Sequence, residues 1–230
     1  ACSMFGYLSP EINANLLLSI ATHSIKQASF QTTAISFRFL NLGLQSEEIW
    51  PAIEPQQFNL VGGLYFRTFI LTEQDFLDIR DDLYSFISKT QVSSLDFRTP
   101  RNGAETSFKT AVKYHETFAE CAIKIVICEL ESFRESSFEI KDIARAYGAL
   151  QFAGIALQKD SSKNSPDPFV QKYTQMIYET ATSMLEINNF VYTAGFFLFV
   201  SLIWEVFSDV EVLFKCFDAL VNYPESGDIC

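Results

Sequence analysis

The chain reads as all-α: an irregular, orthogonally packed bundle of about eight to ten helices, on three observations. Apolar residues recur at intervals of three and four from Ile12 to Leu220. Helix-start signals stand at Ser9, Thr72 and Ser136. Phenylalanine supplies 23 of 230 residues, against 20% charged residues, so the chain carries enough large apolar side chains to build a core without disulfides or metal. The length fits a single domain over 1–230, drawn with lobes at 1–98 and 104–222 that meet near Arg98–Gly103, and with a flexible tail at 223–230.

Taken in order, Ser9-Pro10-Glu11 opens a first helix that runs through Ile12, Leu16 and Ile20 to about Ala28. Thr33–Leu44 alternates at Ile35, Phe37 and Phe39 but adds Leu40 and Leu42, and is read as a helix ended by Gly43. Residues 57–71 fit two readings. Gly62-Gly63 between Phe58–Val61 and Leu64–Leu71 suits a small β-hairpin, whereas Tyr65, Phe66, Phe69 and Ile70 suit helical spacing. Thr72 with Asp75 then starts a helix carrying Phe76, Ile79, Leu83 and Phe86, to about Lys89.

The longest periodic run extends from Glu105 through Phe108, Val112, His115, Phe118 and Val126 to Phe133, as one helix of about 30 residues. Ser136 and Glu139 form a capping box for a helix burying Ile140, Ile143, Ala144, Tyr147, Leu150 and Ile155. Lys159–Pro168 is a loop, and Phe169–Ile187, Phe190–Phe207 and Asp209–Val221 complete the series. Ile187–Trp204 is free of charge, yet Asn188, Asn189, Thr193, Gly195 and Ser201 interrupt it and its flanks are acidic. It is expected to be a buried helix, not a membrane span.

Function is approached by exclusion. A net charge of −11 repels phosphate backbones at long range. Cys2, Cys121, Cys128, Cys216 and Cys230 show no CxxC spacing, and with no glycosylation sequon or leader pattern they read as reduced thiols of a cytoplasmic protein. No nucleophile elbow, P-loop or dinucleotide fingerprint occurs. His115 lacks the glutamate three residues earlier that a carboxylate-bridged bundle site needs. No catalytic residue, metal ligand or cofactor is therefore expected, and Glu73, Asp75, Asp78, Asp81 and Asp82 read as a solvated face.

Opposite charge gathers at Arg98, Arg101, Lys109 and Lys113. Cations near a helix N-terminus oppose the helix dipole, so they serve something other than that helix. From Lys172 onward, eight acids stand against Lys172 and Lys215. This polarity points to a non-catalytic structural or interaction protein that contacts a protein partner or itself, as a homo-oligomer. The rival readings are a helical nucleoprotein-like module holding RNA on the basic residues, and a carrier of a lipophilic small ligand.

Overall fold

The structure is a computed structural model describing residues 30–82, 86, 99–158 and 168–204, with positions 15, 19, 211, 214, 218 and 221. Its elements are α1 (Phe30–Leu44), α2 (Trp50–Ile53), α3 (Gln57–Leu60), α4 (Glu73–Asp81), α5 (Pro100–Tyr114), α6 (Glu116–Arg134), α7 (Ile140–Leu157), α8 (Pro168–Ser183) and α9 (Phe190–Leu202). The described residues are helical or irregular, with no strand among them, and the all-α class holds. The first helix expected from Ser9, the loop after Gln158, the tail and the run beyond Trp204 lie outside the described residues, save helical Asn15, Ser19, Glu211, Phe214, Asp218 and Val221.

The hairpin at 57–71 is not present. From Trp50 the chain runs through α2, a 3-10 turn at Glu54–Gln56, α3, a π turn at Val61–Tyr65 and a second 3-10 turn at Phe66–Thr68. A two-residue hairpin needs φ above zero at its centre, and no described glycine has it. Val61, Leu64, Tyr65 and Phe66 are all buried, which a widened helical turn achieves on one side of the chain.

Compactness divides the chain into Ala1–Thr68 with Ile87–Cys121, and Phe69–Phe86 with Ala122–Cys230. These bounds differ from lobes at 1–98 and 104–222, and the break falls inside α6. In the first unit α1 packs on α5. Tyr65 sits at the centre of an aromatic cluster, with ring centroids 5.5 Å from Phe37, 5.4 Å from Phe108 and 6.3 Å from Phe118. Its hydroxyl lies 2.8 Å from that of Ser107.

The second unit is built on α7 against α9, with α8 touching both. Gly195 lets α9 approach α7 closely: a Cβ there would lie 2.8 Å from Tyr147 Cδ2. Gly148 does the same for the chain at Phe69, whose carbonyl oxygen would be 2.8 Å from an added Cβ. Tyr192 stacks on Phe133 at 5.1 Å and donates to the Ala181 carbonyl at 2.9 Å. Arg145 grips Glu129 with two hydrogen bonds, 2.8 Å and 2.6 Å, which raise the guanidinium pKa.

Two helix boundaries differ from expectation. The cap of α7 is Glu139, whose N–H donates to the Asp142 carboxylate at 3.2 Å, while Ser136 accepts from the Phe138 N–H at 3.1 Å within the turn. Ile140, in the first turn, is consequently exposed. The charge-free run is cut at Asn188, which adopts a left-handed φ of 53°, and Asn189 caps α9 by accepting from the Tyr192 N–H. The 13 residues of α9 rise about 20 Å, short of the roughly 30 Å hydrocarbon thickness. No helix among the described residues is long and apolar enough to cross a membrane.

Candidate interaction surface

The basic stretch is organised by α5, which begins at Pro100, five residues before the expected start at Glu105. Thr99 caps it, its hydroxyl accepting from the Asn102 N–H at 3.1 Å, and Pro100 occupies the first turn where a missing N–H costs nothing. Asn102, Gly103, Ala104, Ser107, Phe108 and Ala111 turn inward. The periodic run does not continue as one helix. It breaks at His115, whose backbone is extended (φ −135°, ψ 98°), and α6 begins at Glu116.

The break is held from outside the helix. The His115 ring stacks on Trp50 with centroids 3.6 Å apart and planes 10° from parallel. His115 Nε2 lies 2.6 Å from the Leu44 carbonyl oxygen, which can only accept, so Nε2 carries the proton. The His115 N–H closes α5 on the Ala111 carbonyl and its own carbonyl accepts from the Phe118 N–H. His115 is thus a structural joint, with a stack and a hydrogen bond on its side chain and backbone bonds on both flanks.

The four expected partner-binding residues separate. Arg98 lies outside the described residues. Arg101 Nε donates to the Thr68 carbonyl at 3.3 Å, tying the start of α5 to the second 3-10 turn. Lys109 makes a 2.7 Å ion pair with Glu105, one turn earlier on the same helix, and both side chains are mostly covered. Lys113 is exposed and makes no ion pair among the described residues. The structure brings Lys109 and Lys113 to one helix, but two of the three described cations hold protein groups of their own unit.

Sequence reasoning missed the apolar members of this surface. Tyr114, beside Lys113, is 55% exposed, and Leu42, two residues before the Leu44 carbonyl that holds His115, is 44% exposed. Tyr114 falls on the periodic run, so its spacing gave no sign that the helix ends there. Along α4, Thr72 and Asp75 form a capping box, Gln74 donates to Asp78, and Arg80 pairs with Asp81. No group of His, Cys, Asp or Glu that could hold a metal ion occurs among the described residues. No protein-family model matches the chain, and neither a curated protein nor a solved structure does.

Proposed function

We propose that the protein is a non-catalytic interaction or self-assembly protein of the cytoplasm, and that the end of α5 is one of its contact surfaces. The observation that carries this reading is the fate of the cations. Of the three described cations of that set, Arg101 and Lys109 are engaged with Thr68 and Glu105, and Lys113 stands next to exposed Tyr114. One cation next to an aromatic ring suits a protein surface, where tyrosine supplies contact area at low entropic cost. A phosphate backbone needs a track of several uncommitted cations. The acids after Lys172 offer the complementary charge on a second copy.

Native mass at moderate salt tests the reading. The unmodified chain is expected as an oligomer, and Lys113→Glu should lower the mass while leaving helix content unchanged. A monomer that retards single-stranded RNA, with log affinity falling linearly against log salt, would replace it with the nucleoprotein reading. A monomer that retains an apolar small molecule would replace it with the carrier reading.

A further inference from the structure

The described positions beyond Trp204 share one helix face. Glu211, Phe214, Asp218 and Val221 are all helical and all exposed, and their spacing of three, four and three residues keeps them within an arc of about 80° along roughly 15 Å. Phe214 is 69% exposed and Val221 63%, more than any other large apolar side chain among the described residues. On this stripe an acid stands one turn before each apolar residue. The stretch 205–221 as a whole carries Glu205, Asp209, Glu211 and Asp218 against Lys215.

We infer that a second copy of the chain covers this stripe with the end of its α5, which sets Tyr114 against the exposed apolar residues and Lys113 against the acids. Charge selects this occupant. Two stripes laid on each other would bring Glu211 and Asp218 against their own copies, and like charges brought together cost affinity. The end of α5 carries the opposite sign: Lys113 and Tyr114 are exposed neighbours, and Lys113 makes no ion pair among the described residues. With a net charge of −11 on each copy, two chains meet most readily where a local cation faces acids. The inference rests on the self-association proposed above and names the surface that α5 meets. That surface differs from α5 itself, so every contact needs one of each.

Sedimentation velocity at moderate salt over a concentration series tests it, with far-ultraviolet circular dichroism as the folding control. Phe214→Glu alone and Lys113→Glu alone should each raise the dissociation constant about tenfold or more. An equimolar mixture of the two variants should regain association, because an intact α5 end on one then meets an intact stripe on the other. Two misfolded variants cannot give that recovery. If Phe214→Glu associates like the unmodified chain while Lys113→Glu does not, or if both are weakened and mixing restores nothing, this inference falls and the α5 surface stands. An unmodified chain that stays monomeric throughout the series, or a Lys113→Glu variant that associates normally, would overturn both.

Discussion

Tyr65 shows how a single side chain couples the first unit's core to pH. It is fully buried, and burial pushes its phenol well above the ordinary value of 10 while the Ser107 hydrogen bond acts the other way. In the unfolded chain the phenol gives up its proton near pH 10, and in the fold it holds on to higher pH. The unfolded state then binds fewer protons, so stability falls as pH rises above about 10, by up to about 1.4 kcal/mol per pH unit. Tyr65→Phe should cost about 1–2 kcal/mol at neutral pH, because it strands the buried Ser107 hydroxyl. Denaturant titrations at pH 7 and above 10 should show that deficit shrinking in alkali. A deficit independent of pH would mean that the phenol does not govern the alkaline response.

At the scale of elements, the joint at His115 makes the most direct test. Trp50→Ala removes the stacked partner and should destabilise the first unit by about 2–4 kcal/mol, because an indole that also touches Phe118 at 5.5 Å is lost. His115→Ala loses the same stack and also the donor to the Leu44 carbonyl, but keeps Trp50 against Phe118 and the backbone bonds on both flanks, and should cost somewhat less, about 1–3 kcal/mol. Chemical denaturation of the two variants checks the order, and a reversed order would show that the hydrogen bond, which His115 alone supplies, outweighs the contact of the indole with Phe118.

What could be read along the chain at this scale was whatever neighbours decide. Thr72 and Asp75 cap α4 because the two groups are three residues apart, and the inward residues Ile143, Ala144, Tyr147, Leu150 and Ile155 of α7 follow from spacing alone. What could not be read depends on partners distant in sequence. The break at His115 is set by Trp50 and Leu44, 65 and 71 residues away, and nothing local in Tyr114-His115-Glu116 announces it. Arg101 stood out as a cation in the sequence, but its contact with the Thr68 carbonyl, 33 residues earlier, did not. Gly62-Gly63 carries the same letters in a hairpin and in a π turn, and burial of Val61, Leu64, Tyr65 and Phe66 on one side chose between them.

Across the whole molecule, protection from solvent is uneven. Between Ile143 and Leu157 only Arg145 reaches water, whereas in α4 only Ile79 is buried. Amide hydrogen exchange should therefore be slowest in α7 and in the middle of α9, and fast throughout α4, where opening exposes little apolar surface. Comparable rates in α4 and α7 would contradict this burial pattern. The packing of α9 on α7 also bears on how the chain is made. A ribosome releases residues in numerical order, so Tyr147 and its neighbours on α7 emerge before the Phe196 and Phe199 helix that packs on them. This apolar, charge-free helix thus arrives when the surface that covers it has already been synthesised.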